Sequence, residues 1–322
     1  MSVWRGRRVL VTGASGFIGA SLVRALLERE ACVHAWAAPQ GSTWRLDEVL
    51  QRIAVDRVSL SDRAGVLAAV ERVAPDAVFH LAARGVLSSE EASQEILATN
   101  VLGTYWLLEA CVPLPRTRVV LLGGASEYAK QDRPLRETDP LEPATFYGAS
   151  KAAATLIGQQ HARRHGLPIA ILRPFTVYGP WESPRRLVPA AIAGLREGRE
   201  IPLTPPGIRR DFVFVEDVVE ACLAAAERSL PPGVILNVGT GIEHSNEDVV
   251  NLIGSLLGLE ARFRLGAVPP HAADRPHWVA DLTTTRRLLG WEARHSLEQG
   301  LRRTLDWWTV RDPRPTQQQA IR

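Results

Sequence analysis

Short runs of consecutive apolar residues alternate with amphipathic stretches through the first half of the chain. Arg8 to Thr12 (RVLVT), Val33 to Ala37, Ala77 to Leu81 (AVFHL), Val119 to Leu122 (VVLL) and Ile169 to Leu172 are apolar runs of strand length. Between them, Phe17 to Arg29, Ala64 to Val73, Glu95 to Cys111 and Phe146 to His165 carry apolar residues at helical spacing, as Ile18, Leu22 and Leu26 do. Strands with no polar alternation are buried on both faces. Alternation with helices therefore predicts an α/β fold, a doubly wound parallel sheet covered on both sides.

After Pro174 the texture changes, with Pro180, Pro184, Pro189, Pro202, Pro205, Pro206 and Gly207 breaking the chain into shorter elements. This half predicts a smaller C-terminal lobe that shapes a substrate pocket. Phe212 to Ala226 is expected to return to the first domain as a strand and helix. The domain reading is a parallel-sheet domain over 1–174 plus a returning segment of about 211–240, which the glycine motif described below makes the dinucleotide-binding domain, a substrate lobe over 175–210 and 241–310, and a flexible tail over 311–322.

Composition narrows the class. The 322 residues are 46% hydrophobic and 23% charged, ordinary for a globular protein with a sizeable core. The net charge is +3, with arginine supplying nearly all of the positive charge and no basic stripe, which argues against a nucleic-acid partner. Scattered guanidinium groups suit a phosphate-bearing substrate. Cys32, Cys111 and Cys222 are far apart and set among apolar residues, so buried reduced thiols are expected. No signal-peptide pattern and no apolar run of about 18 residues is present, which places the protein in the cytoplasm with no membrane partner.

The candidate chemistry begins at Thr12 to Gly19, TGASGFIG, with glycines at 13, 16 and 19 between a strand and a helix. Gly13 permits the tight turn. Gly16 lets backbone approach a pyrophosphate, and Gly19 lets the helix pack close to the sheet. The helix N-terminus then offers free N–H groups to phosphate. Strand, turn and helix together mark a Rossmann-type dinucleotide site, with Gly13, Ser15, Gly16, Phe17, Ile18 and Gly19 as its contacts.

The G-x-x-G-x-x-G spacing resembles the extended, sugar-nucleotide branch of the short-chain dehydrogenase/reductases, the NAD-dependent epimerase/dehydratase family. His80 to Ala83 (HLAA), Asn100 to Thr104 (NVLGT), Tyr147 to Lys151 (YGASK), Arg173 to Pro180 (RPFTVYGP), Arg210 to Asp217 (RDFVFVED) and Leu289 to Trp291 (LGW) carry the same resemblance, in the family's order from about residue 8 to 308. It implies further cofactor contacts at Leu60, Asp62, Leu81, Ala82, Ala83, Asn100, Tyr147, Lys151, Pro174 and Val177, with Ser59 beside the adenine position. The cofactor is NAD or NADP. The second strand ends at Ala37-Ala38 with no carboxylate to hold the ribose, and Ser42, Thr43 and Arg45 follow, which gives a slight lean to NADP.

Tyr147 and Lys151 are four apart on a helix and share a face. An ammonium beside a phenol is expected to stabilise the phenolate and lower its pKa, so that it takes a proton from a sugar hydroxyl while hydride leaves the same carbon. The family's third catalytic member is a Ser or Thr whose register falls here on Gly124. Ser126 is the only nearby hydroxyl. Either the loop bulges and Ser126 serves, or a water does. The Asp-Glu pair of the 4,6-dehydratases is replaced by Ala125 and Ser126. Glu127 stands one residue late and, on a strand, would face the other way. The Thr and Glu of UDP-glucuronate decarboxylases are also missing in register. What remains is chemistry at C4 of a nucleotide-diphosphate sugar, by 4-epimerase or 4-ketoreductase. The alternatives are a dehydratase or decarboxylase with a rearranged loop, or a non-catalytic dinucleotide sensor; sensors of this superfamily usually lose the Tyr–Lys pair.

The resemblance places Arg210 and Arg275 at the nucleotide diphosphate. Arg185, with Arg186 beside it, Arg84 and Thr176 are further substrate candidates. His161 and His165 are separated by Arg163 and Arg164, which suggests a solvated face, and no metal is expected. The family pairs the helices at 95–112 and 146–165 into a homodimer seam, with Leu107, Leu108, Ala152, Ala153 and Ala154 as its apolar and small residues.

Overall fold

The computed structural model describes residues 2–85, 93–270, 274 and 276–310. Arg275 and the tail from Arg311 lie outside the described residues.

In chain order the elements are β1 (Arg8–Thr12), α1 (Phe17–Glu28), β2 (Cys32–Ala37), a 3-10 segment (Trp44–Arg52), β3 (Ala54–Arg57), α2 (Arg63–Val73), β4 (Ala77–His80), α3 (Ser93–Leu97), a π turn (Ala98–Leu102), α4 (Gly103–Cys111) and β5 (Arg118–Leu122). Then come a 3-10 turn (Ala125–Glu127), α5 (Phe146–His165), β6 (Ile169–Pro174), β7 (Thr176–Tyr178), α6 (Leu187–Arg196), β8 (Ile201–Pro202), β9 (Arg209–Phe214) and α7 (Val215–Glu227). The chain closes with β10 (Val234–Val238), β11 (Glu243–Ser245), α8 (Asn246–Leu257), β12 (Phe263–Arg264), α9 (Thr283–Leu289) and α10 (Leu297–Val310).

Seven parallel strands form the main sheet in the order β10-β6-β5-β4-β1-β2-β3. This is the doubly wound α/β fold expected from the apolar runs, and its strand order reverses between β1 and β4, where such sheets bind ligands. The two-residue side-chain period explains the layers. Val9, Val11, Val120, Leu122, Ala170 and Leu172 face one core, shared with Leu22 and Leu26 of α1 and Val218, Cys222 and Ala225 of α7. Leu10, Val119, Leu121, Ile169 and Ile171 face the other, with Val66 of α2, Leu107 of α4 and Ala162 of α5. A third core of Tyr178, Ile192, Phe212, Phe214, Val249, Ile253 and Leu301 builds the lobe around the three-stranded sheet β11-β9-β7.

Several expectations change. β3 has no apolar run to announce it: AVDR is a half-covered edge strand. The helix expected over 95–111 is continuous but widens into the π turn at Ala98–Leu102. The strand at Phe212 does not join the main sheet; β9 pairs with β7 and β11, while α7 packs on the main sheet and β10 completes its edge. Cys32 is exposed at the start of β2, whereas Cys111 and Cys222 are buried. His161 is buried rather than solvated, held by Glu109 Oε1 at 2.9 Å and the Ile157 carbonyl at 3.1 Å. Leu107 and Leu108 are fully buried in the second core, so they do not line a surface. Among the described residues no helix is long and apolar enough to cross a membrane.

Candidate active site

The glycine turn sits at the carboxyl end of β1. Gly13 has φ +68°, and a side chain there would stand 2.7 Å from the Ala82 backbone, so the turn after β1 and the segment after β4 touch with no room for a Cβ. A Cβ on Gly19 would overlap the Gly13 carbonyl, and one on Gly16 would come within 3.0 Å of it. Gly16 is exposed and caps α1 with no side chain, so the N–H groups of the first turn point outward unobstructed. This cradle fits a dinucleotide pyrophosphate. Ser15, Phe17 and Ile18 are half-buried at its rim, and Phe17, Ile18 and Val177 pack against the core of the lobe.

The remaining cofactor candidates divide. Leu81 and Ala82 line the strand end beside Gly13, and Pro174 ends β6. Leu60 is buried beneath Gly103, and Asp62 and Ala83 are exposed. Asn100 is buried in the π turn. Its amide accepts from Arg84 N at 2.8 Å and donates to the Arg84 carbonyl and Ser150 Oγ, both at 2.9 Å, so it ties the segment after β4 to α5. Arg45, considered for a 2′-phosphate, donates to the Trp181 carbonyl at 2.8 Å and the Ser15 carbonyl at 3.4 Å. Burial drives its pKa down to about 10. It clamps the lobe to the glycine turn, helped by the Trp44–Trp181 ring contact at 5.5 Å.

α5 begins at Thr145, whose hydroxyl accepts from Gly148 N at 3.0 Å, and ends at left-handed Gly166. Tyr147 stands in its first turn and Lys151 one turn on, where Lys151 Nζ donates to the Leu122 carbonyl at the end of β5. Burial dominates both groups. It pushes the Tyr147 phenol up to about 12, with the Glu127 charge adding to the rise and Arg186 opposing it. It pulls the Lys151 ammonium down to about 8, against Glu127. The ammonium was expected to lower the phenol, but in this structure Lys151 is directed to a carbonyl and desolvation raises the phenol.

The loop after β5 departs from a strand. Ala125–Glu127 is a 3-10 turn, which swings Glu127 inward: its carboxylate accepts from Gly124 N at 2.8 Å and pairs with Arg173 at 2.8 Å, both side chains fully buried. Gly124 has φ 176°, extended backbone open to any residue, and a Cβ there would meet only Ser126 Oγ, at 3.5 Å. Ser126 makes no side-chain hydrogen bond among the described residues, so it is not occupied with its own backbone. Its carbonyl packs on Gly148, next to Tyr147.

Of the substrate candidates, Arg210 on β9 is directed inward. It pairs with Asp274, lies over the Trp278 ring at 5.5 Å, and its pKa is lowered by burial. Its neighbour Asp211 fixes the strand by accepting from Thr240 N, Gly241 N and Ala280 N at 2.7, 2.9 and 3.2 Å. Arg185 is exposed, while Arg186 turns in: it meets Glu182 at 3.5 Å and acts electrostatically on both Tyr147 and Arg210. Burial pushes the Glu182 carboxyl up to about 8. Arg84 is exposed and paired with Glu95, and Thr176 is half-buried on β7 opposite Phe212. Arg275 lies outside the described residues. Glu182 carried no sequence signal, while Arg173 stood only as the first residue of RPFTVYGP and Glu127 as a carboxylate expected to face away; their buried pairing was not legible.

A phosphate-binding turn at the switch point, a Tyr–Lys pair on α5 and inward arginines from a second lobe define a dinucleotide-dependent enzyme of the short-chain dehydrogenase/reductase type. The sequence profile of the NAD dependent epimerase/dehydratase family matches residues 9–239. The chain belongs to this family. It is 31% identical to a dTDP-glucose 4,6-dehydratase of Neisseria meningitidis, covering 94% of this chain and 93% of that one. It is 30% identical to a UDP-glucuronate 4-epimerase of Thermodesulfobacterium geofontis, covering 92% and 95%. The crystal structure of UDP-glucuronic acid 4-epimerase from Bacillus cereus, in complex with UDP-glucuronic acid and NAD, superposes with a TM-score of 0.84 at 25% identity, covering 94% of this chain and 99% of that one. That structure holds NAD, and nothing in the comparisons supports the lean to NADP.

Proposed function

We propose that the protein is a 4-epimerase of a nucleotide-diphosphate sugar that works with NAD and keeps it bound between turnovers. The observation that carries the reading is the state of the loop after β5. Ala125 and Ser126 stand where a dehydratase has its acid–base pair, and Glu127, the only carboxylate of that turn, is fully buried against Arg173. A carboxylate locked in a buried ion pair is not available to abstract a proton from substrate. Chemistry at C4 is what the remaining groups, Tyr147, Lys151 and Ser126, support. The Arg45 clamp between Ser15 and Trp181 favours a retained cofactor over one exchanged in each cycle. Its engagement also leaves it unsuited to a 2′-phosphate, which supports NAD. A 4-ketoreductase on the same groups is the second reading.

When bound, the dinucleotide supplies a hydride acceptor and donor. The raised phenol of Tyr147 has to ionise before it can take the proton of the C4 hydroxyl, which the positive charges of Lys151 and of an oxidised nicotinamide would favour; the proton then returns to the same oxygen after the sugar has turned its other face. Lys151, held by the Leu122 carbonyl, lends positive charge to that exchange. Ser126 Oγ donates to the sugar oxygen in place of the absent side chain at 124, and Arg210 and Arg186 suit the diphosphate end. The protein is further proposed to be a cytoplasmic homodimer.

The test is turnover of UDP- and dTDP-sugars with no added cofactor. C4 epimers should appear without any change at the reduced-nicotinamide absorbance, and Tyr147→Phe should lower the rate by about 10²–10⁴-fold while retaining bound nucleotide. Stoichiometric consumption of added reduced cofactor with a 4-keto sugar would replace the epimerase by the reductase. Release of water or carbon dioxide from substrate would overturn both.

A further inference from the structure

The turn at Ala125–Glu127 holds a second layer behind the site. Glu127 Oε1 accepts the Gly124 N–H at 2.8 Å, and its other oxygen meets Arg173, which itself lies over the Tyr128 ring at 4.4 Å. Tyr128 Oη continues to Asn237 Oδ1 at 2.6 Å, so the turn is anchored to β10 through buried groups alone. Gly123 makes room for this arrangement, because a Cβ there would overlap Glu127 Oε1. The result is a tight turn in which the hydroxyl of residue 126 comes back to 3.5 Å from the point where a side chain at 124 would begin.

We propose that Glu127 is a positioning residue: its buried carboxylate, shared by Gly124 N–H and Arg173, closes the turn that sets Ser126 Oγ against the space a hydroxyl side chain at 124 would fill. The chain thereby keeps a hydroxyl on a turn whose Ser126 carbonyl packs against Gly148, the residue after Tyr147, although its sequence carries glycine in that register. The inference rests on the C4 reading for what Ser126 does, but not for where Glu127 holds it. The enzyme acts on substrate through Ser126; Glu127 acts only through the turn. An ionised acceptor held by two donors is a strong anchor, and removing its charge leaves Arg173 buried against a neutral partner, so the turn should loosen rather than merely lose one contact.

The variants are Ser126→Ala, Glu127→Gln and each combined with Gly124→Ser, which the extended backbone at 124 accepts. Hydrogen–deuterium exchange over residues 123–128, with no substrate present, reads the anchor directly. Glu127→Gln should raise exchange at Gly124, and Ser126→Ala should not. In turnover, both single changes should lower kcat by about 10²-fold with KM little altered. Gly124→Ser should restore kcat in both backgrounds without restoring the slow exchange. Unchanged exchange in Glu127→Gln overturns the anchor. Raised exchange with wild-type kcat overturns its role, and failure of Gly124→Ser to restore Ser126→Ala overturns the equivalence of the two neighbouring hydroxyls. Should Glu127→Gln not fold, that last pair decides alone. A wild-type enzyme inactive at C4 would sink the functional reading and leave the exchange result to judge the anchor.

Discussion

Gly123 and Gly124 are neighbours in sequence, and their surroundings are opposite. A methyl on Gly123 would run into Glu127 Oε1 and come within 3.3 Å of Arg173 Cγ and the Leu172 carbonyl. A methyl on Gly124 would meet only Ser126 Oγ at 3.5 Å, an ordinary contact. Gly123→Ala should therefore cost about 1–3 kcal/mol of stability by overpacking a buried ion pair. Gly124→Ala should stay within about 0.5 kcal/mol. Denaturant titration of the two variants checks this, and equal losses would mean that the inward Glu127 is not the constraint. The same pair marks how far residues alone could be read. The register marks Gly124 as a missing hydroxyl, while the need for Gly123 arises from a carboxylate four positions on and an arginine on the next strand.

At the scale of elements, the π turn and the ends of β1 and β4 form one unit. The Ala82 N–H donates to Thr12 Oγ1 at 3.3 Å, Thr12 Oγ1 lies 2.7 Å from His80 Nδ1, His80 Nε2 lies 2.9 Å from Thr104 Oγ1, and Thr104 donates to the Asn100 carbonyl at 2.6 Å. Since Thr104 spends its proton on Asn100, it accepts from His80 Nε2–H, and His80 Nδ1 accepts from Thr12. The histidine is thus neutral, and burial with the nearby Lys151 charge lowers its pKa to about 3. Its folded value lies below the ordinary 6.5, so the unfolded chain takes the proton first as the pH falls. The stability this group contributes is complete above about pH 6.5, and is lost progressively as the pH drops through about 3. Between pH 6.5 and 4 the loss should be about 3 kcal/mol from this group. Ring resonances of His80 should show no titration down to about pH 4. Titration near 6.5 would mean that the relay behind the glycine turn is open to water.

For the whole molecule, the open question of surface is where a second copy would sit. Leu97, Leu102 and Leu156 are 42%, 50% and 53% exposed, on α3, the π turn and α5, beside the half-exposed Phe146. These helices pack together on one face of the sheet, and apolar residues grouped there are the natural seam of a two-fold dimer. Leu107 and Leu108, expected at such a seam, are buried in the core behind these helices. Light scattering at micromolar concentration should give twice the chain mass of 35.3 kDa, and Leu102→Glu with Leu156→Glu should halve it. A single-chain mass for the unaltered protein would dispose of the dimer.

The apolar runs and the glycine spacing were enough for the parallel sheet, the dinucleotide turn and the Tyr–Lys helix. Each is a local pattern: two-sided burial of a strand, a turn that admits no Cβ, and a pair one helical turn apart all follow from residues near one another in the chain. Short half-polar β3, the separate sheet of β9 and the π turn gave no such pattern, because pairing and register with distant strands decide them. The protonation of the site was also beyond local reading. Tyr147 and Lys151 stand on one helix as expected, yet desolvation by the assembled core moves both pKa values, and the ammonium is taken by the Leu122 carbonyl instead of lowering the phenol. Only the tertiary structure could turn Glu127 inward, since its partner Arg173 is 46 residues away. Only it could bring Ser126 back over Gly124, because a 3-10 turn rather than an extended strand follows β5. Packing energies between distant segments, which no window of sequence contains, made those choices.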